Sequence, residues 1–292
     1  MITSRAYQYL VDHTAIYHFM IEIYERDWRN GVPAPFLEYA LCTTWMDKRY
    51  LHRNRIWFDD EKIIAFVFTE NDPSQIFFSL RPGYEYLAGE MIQHAEKNML
   101  HKKGKQSFVL FQGQNTLINL VRNNGYHKIY EHTDMIYDFE KNVPLDYPLP
   151  SGFHFVDNNK FSLEKQLICL WKGFDHEEKE GTWTNDHIDD GYILLTAPHC
   201  TPQYPVIIEN DLSGEYVCYA GMWWTPQNHL AYMEPLATVP EYRHKGLASA
   251  ALSELYRRMK PLGATHMTGG ANPFYAKIGY QPMIVWTEWE KE

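Results

Sequence analysis

The stretch from Arg243 to Leu252, RHKGLASAAL, has residue types and spacing suited to holding phosphate. It joins an apolar strand pattern to a helical one. An α-helix leaves its first four backbone N–H groups without intrahelical partners and carries partial positive charge at that end. A tight turn into such an end gathers several N–H groups in one small volume, which is how a backbone binds an anion. Gly246 lets a ligand approach where a Cβ would intrude, and Ala248 and Ser249 keep the next positions small. Arg243, His244 and Lys245 add positive charge or donors at the rim. On these residues alone a second reading stands beside the first: a solvated basic corner with an ordinary turn glycine. The sequence has no GxxxxGK[ST] and no GxGxxG after a strand, so neither a P-loop nucleotide nor a dinucleotide is indicated.

The elements that must position this turn follow from periodicity. Ile16, Phe19, Met20, Ile23 and Tyr24 recur at helical spacing and predict a helix over 14–29, with a second over Phe36 to Tyr50. Apolar runs at 56–58, 63–68 and 76–80, parted by turn formers, predict an antiparallel meander. A helix over YEYLAGEMIQHAEKNML, the strand QSFVLF, the short helix TLINLVRNN and a closing strand KIYEHTDMIYDF complete this half. Pro144, Pro148 and Pro150 resist both helix and central strand and mark the expected boundary, giving domains at 1–145 and 151–292. The second half repeats the order: a helix near Leu163 to Gly173, a polar loop or lid over DHEEKEGTWTNDHIDDG, then three strands. After these come the helix from Gly246, a strand at THMTG, a short helix at PFYAKI and a last strand, PMIVWTEWE.

The 292 residues include 27 Lys plus Arg against 37 Asp plus Glu, a formal net charge of -10. That balance argues against nucleic acid and anionic membrane surfaces as partners and favours a cationic or amine-bearing small molecule. Cys42, Cys169, Cys200 and Cys218 show no CxxC spacing, so neither a zinc knuckle nor a disulfide framework is indicated, and reduced thiols in a cytoplasmic protein are the simplest expectation. No segment reaches 18 apolar residues, and the N-terminal stretch lacks the apolar run of a signal peptide.

VPEYRHKGLA resembles the acetyl-CoA-binding motif of the GNAT superfamily of N-acetyltransferases, with Arg243, Gly246 and Ala248 at the matching positions. NPFYAKIGY resembles the family's later segment through Asn272, Tyr275, Gly279 and Tyr280. The strong resemblance runs from about Tyr204 onward. It implies an α/β fold of two GNAT-like domains, each a mixed, mainly antiparallel sheet flanked by helices. It also implies that the fourth strand, Ala231 to Thr238, splays from the fifth to admit the pantetheine arm of acetyl-CoA. Leu236 and Thr238 would then offer backbone groups to the pantetheine, and the N–H groups of His244, Lys245, Gly246, Leu247 and Ala248 would hold the diphosphate. Asn272 is expected among the cofactor-binding residues; Ala248 replaces the commoner glycine, and the short link from Asn272 to Tyr275 weakens the transfer of the asparagine's role.

By the same resemblance Tyr275 is the expected general acid for the leaving thiolate. Glu234, in alternation with Leu236 and Thr238, is the candidate base, ahead of Glu209 and His229. In the first half, Arg81 is followed by Pro82, Gly83 and Glu85, which removes a donor, misplaces the glycine and adds a repelling charge, so that half is expected to bind no acetyl-CoA. The resulting expectation is transfer of acetyl from acetyl-CoA to a small-molecule amine or a peptide. The alternative is a non-catalytic acetyl-CoA-binding regulatory or scaffold protein. The acceptor and the oligomeric state stay open.

Overall fold

The computed structural model describes residues 1–102 and 104–291. They divide into two compact units, Met1–Asp134 with Pro282–Glu292, and Met135–Gln281.

In the first unit β1 (Ile2–Ala6), α1 (Tyr9–Ile23) and α2 (Ala34–Leu41) precede the expected meander of β2 (Arg55–Asp59), β3 (Lys62–Thr69) and β4 (Gln75–Leu80). Then come α3 (Ala88–Asn98), β5 (Ser107–Phe111), α4 (Asn115–Asn123) and β6 (His127–Asp138), which crosses the division between units. Strands β1 to β4 pair antiparallel in sequence, and β4 pairs β5 in parallel at Gln75–Phe77 with Ser107–Val109. One face packs Ile64, Phe78, Phe108 and Leu110 under Met91, Ile92, Leu117 and Val121 of the two later helices. The first helix starts and stops earlier than its periodicity predicts, because Tyr24 turns extended (φ -57, ψ 132). The second ends at Cys42, ahead of a 3-10 turn at Lys48–Arg53 that Asp47 caps by accepting from Arg49 N.

The second unit continues with β7 (Phe153–Phe155), α5 (Leu163–Gly173), α6 (His176–Glu180) and α7 (Ile188–Leu195), then β8 (Val206–Asn210), β9 (Tyr216–Ala220), β10 (Trp223–Thr225), β11 (Leu230–Tyr232) and β12 (Leu236–Thr238). After these come α8 (Leu247–Met259), β13 (His266–Thr268), α9 (Pro273–Lys277) and β14 (Gln281–Glu290), whose residues from Pro282 belong to the first unit. The polar stretch expected as a loop or lid is therefore partly helical. Trp171 stacks on His176 at 5.0 Å, and His176 pairs with Glu180 one turn on, contacts that a polar composition does not advertise.

The closing strands are exchanged relative to chain order. Residues Trp286–Glu290 pair antiparallel with β5 in the first unit, and Ile136–Asp138 pair with β13 in the second. Side-chain alternation is the same whichever neighbour a strand takes, so the exchange leaves no mark in the sequence pattern. The proline segment lies inside the second unit. Leu145 is buried in its core with Phe139 and Tyr256, and Tyr147 N donates to Ser253 Oγ of α8 at 3.0 Å.

Candidate functional site

Two long strand patterns of the second unit break at a common point. The first breaks between β9 and β10 at Gly221, and the second between β11 and β12 at Met233–Pro235. β11 keeps its parallel pairing with β13 at Leu230↔His266 and Ala231↔Met267, and β12 leaves to pair antiparallel with β9. The fourth and fifth strands therefore separate after Ala231. Thr268 closes the apex of the split, its hydroxyl accepting from Met233 N at 2.8 Å.

Gly221 makes the double break possible. Its N–H donates to Pro235 O at 2.8 Å, and a Cβ there would lie 2.0 Å from Glu234 O. Gly221→Ala is expected to cost on the order of 2–3 kcal/mol through forced displacement of the Glu234–Pro235 backbone. Urea denaturation checks this, and an unchanged midpoint would show that the bend relaxes freely.

Beyond the split, β12 presents a free edge. Gly221 N bonds Pro235 O and Val239 N bonds Val217 O, so the odd-numbered residues face β9. By alternation Leu236 and Thr238 direct their N–H and C=O groups away from it, and among the described residues no strand pairs with that side. The Thr238 hydroxyl donates to Cys218 Sγ at 3.4 Å, and burial pushes that thiol up to about 12, which keeps it protonated and unreactive near neutral pH. Glu234, Leu236 and Thr238 are all half-buried while Met233, Pro235, Ala237 and Val239 are buried.

The turn then enters α8 through two residues in left-handed conformation, His244 (φ 63) and Gly246 (φ 83). Such kinks turn successive N–H groups to one side. Gly246 is the N-cap; no side chain caps the helix among the described residues, and a Cβ on Gly246 would meet nothing within 4 Å. The first N–H groups of a thirteen-residue helix thus meet an open surface. Lys245 Nζ sits 4.7 Å over the Tyr242 ring. Arg243 is committed elsewhere: its guanidinium donates to Thr238 O (3.2 Å), Gly173 O (2.9 Å) and Asp175 Oδ1 (2.8 Å), tying the end of α5 to β12.

Tyr275 lies on α9, 8% exposed, with ring centroids 5.3 Å from Phe274 and 5.1 Å from Tyr280. Gly269, just beyond β13, makes room for both tyrosines, since a Cβ there would lie 2.8 Å from Tyr275 and 2.9 Å from Tyr280. Asn272 caps α9, its Oδ1 accepting from Phe274 N at 2.9 Å. Of the weaker candidates, Glu209 pairs with Lys165 at 3.4 Å, and His229 holds Gly263 O at 3.0 Å on a left-handed turn. Gly221, Thr268 and Gly269 were not singled out in the sequence, because each matters through one contact distant along the chain.

At the corresponding place in the first unit a cavity of about 220 Å³ is open, but strand groups beside it are taken by the chain itself. Asn30 O accepts from Leu80 N and Gln114 Nε2 donates to Phe78 O, at 2.8 and 2.9 Å, so these groups of β4 are engaged. Glu85 Oε1 accepts from Gly83 N at 3.0 Å, so a carboxylate occupies the turn. Arg81 is held by Glu22 at 2.6 Å and by Ile63 O.

The model of the Acetyltransferase (GNAT) family matches residues 170–280. No curated protein matches the sequence. Among solved structures, the GCN5-related N-acetyltransferase from Sphaerobacter thermophilus is 15% identical with a TM-score of 0.60, over 100% of this chain and 95% of that one. The tandem GNAT protein from the clavulanic acid biosynthesis pathway is 11% identical with a TM-score of 0.59, over 100% and 98%. An acetyltransferase of the GNAT family from Colwellia psychrerythraea is 11% identical with a TM-score of 0.59, over 99% and 100%. At such identities the likeness is one of fold. The chain is an α/β protein of two GNAT-like units, and its match to the GNAT family model, residues 170–280, takes in the split strand, the open turn and Tyr275.

Proposed function

We propose that the chain is an N-acetyltransferase that uses acetyl-CoA and acts on an amine, with one active site, in the second unit. The observation that carries this reading is the continuity of the β12 free edge with the uncapped, glycine-led start of α8. Together they offer amide partners along an extended arm and a cluster of N–H donors at its end, which fits a pantetheine joined to a diphosphate.

Bound acetyl-CoA would supply the acetyl group as a thioester and leave as a thiolate. Leu236 would hold the arm through its backbone groups and Thr238 through its N–H, its C=O being engaged by Arg243, and the N–H groups of His244 through Ala248 would hold the diphosphate, with Lys245 at the rim. Arg243 acts by fixing the turn to α5, and Asn272 by capping the helix that carries Tyr275. Tyr275 would donate its phenolic proton to the departing sulfur, since a phenol is protonated near neutral pH and stabilises a thiolate developing beside it by hydrogen bonding and proton transfer. Glu234 would accept the proton shed by the amine. The acceptor class is an amine, as a small molecule or on a peptide.

The test is release of free thiol from acetyl-CoA across a panel of amines, together with calorimetric titration of acetyl-CoA. We expect amine-dependent thiol release and a stoichiometry of one per chain, with Arg81→Ala changing affinity little. No release with any amine despite tight binding would favour a binding protein, and two sites per chain would overturn the reading of the first unit.

A further inference from the structure

The first unit contains a pocket that the acetyl-transfer reading does not use. It has a volume of about 240 Å³ and lies over one face of the sheet, where alternate residues Phe77, Val109, Trp286 and Glu288 meet Phe36 of α2 and Glu70 at the end of β3. Three aromatic rings form its apolar wall. The Phe36 centroid lies 5.5 Å from Phe77 and 6.0 Å from Trp286, and Phe77 and Trp286 stand nearly perpendicular at 6.3 Å. A slot built only for packing would close on these rings. Here it stays open and carries two carboxylates.

The charges on that wall have one sign. No lysine or arginine lines the pocket among the described residues, and its histidine, His132, is stacked on Trp286 and lies 3.8 Å from Asp134. Glu288 spends Oε1 on Gln75 Nε2 at 3.0 Å. Burial pushes the Glu70 carboxyl up to about 7, with an opposing hydrogen bond from the Asn71 backbone and no neighbouring cation to hold its charge. A half-buried carboxylate in one pocket with aromatic rings is stabilised by a cation that both can share, because ring faces and carboxylates attract the same charge.

We propose that this pocket is a second ligand site, specific for a small alkylammonium ion, with Phe36, Phe77 and Trp286 enclosing the cation and Glu70 and Glu288 neutralising it. The site lies wholly within the first unit, so its test stands apart from the reading of residues 170–280.

The full-length protein is titrated calorimetrically with choline and with n-butylammonium, and with 3,3-dimethylbutan-1-ol as the uncharged counterpart of choline. We expect at least one cation to bind and the alcohol to bind at least about tenfold more weakly. Glu70→Gln, which keeps shape and removes charge, should weaken cation binding by a similar factor without lowering the thermal midpoint. Trp286→Leu should abolish it; should that variant fail to fold, Phe36→Leu serves in its place. Equal binding of the alcohol, an unchanged affinity in the Glu70→Gln protein, or binding of neither cation would overturn the proposal.

Discussion

Replacing Tyr275 by phenylalanine is expected to slow single-turnover acetyl transfer by a factor on the order of a hundred or more, with acetyl-CoA affinity nearly unchanged. The substitution removes one hydroxyl and keeps the ring. The ring contacts with Phe274 and Tyr280, and the fit against Gly269 and Gly270, are carbon contacts that phenylalanine repeats. The loss should therefore appear in the step that needs a proton at sulfur. The measurement is single-turnover transfer at saturating acetyl-CoA and acceptor, beside a titration of acetyl-CoA into both proteins. Were the phenol a structural anchor, the change would surface in the thermal midpoint or in affinity, with turnover near normal. An unchanged single-turnover rate would remove Tyr275 from the mechanism.

Gly246→Val should weaken acetyl-CoA binding by well over tenfold, whereas His244→Ala should cost no more than a few-fold. The contrast follows from what each residue contributes. Gly246 holds φ 83 at the N-cap and leaves its Cβ direction open, so valine both strains the turn and places a branched side chain where a diphosphate would approach. His244 also has positive φ, but its side chain is exposed and its proposed contribution is a backbone N–H, which alanine retains. Calorimetric titration of both variants, with thermal melts to confirm folding, decides the matter. Equal losses in two folded proteins would count against a seat made of backbone.

What the sequence made legible is local. Gly246 after an apolar strand and before a helical stripe announces a strand-turn-helix corner, because only glycine tolerates that backbone cheaply while leaving it bare. Alternation groups Glu234 with Leu236 and Thr238, but the strand begins only at Leu236, so the period speaks for the last two alone. In the first half the misplaced glycine and the acidic residue suggest a turn unsuited to phosphate, and Glu85 accepts from Gly83 N there. Motif position suggests a ligand role for Arg243 and Asn272 and does not reveal that the side chains also hold α5 and cap α9. The partners of β6 and β14 stayed hidden because hydrophobic period records which face is buried and not which strand lies alongside. Gly221 and Gly269 stayed hidden for a related reason: each is required by a residue that only folding brings near, Glu234 in one case and the Tyr275–Tyr280 pair in the other.

The exchanged closing strand also sets an order of assembly during synthesis. Thr287 Oγ1 donates to Leu110 O across 177 positions, and the ribosome adds roughly 5–20 residues per second, so β5 waits roughly 9 to 35 seconds for its outer neighbour. During that interval the edge of β5 offers unpaired backbone groups to any extended chain nearby. The second unit draws on one uninterrupted stretch, Met135–Gln281, and can finish while the first still waits. The half that emerges first from the ribosome is thus the last to be completed.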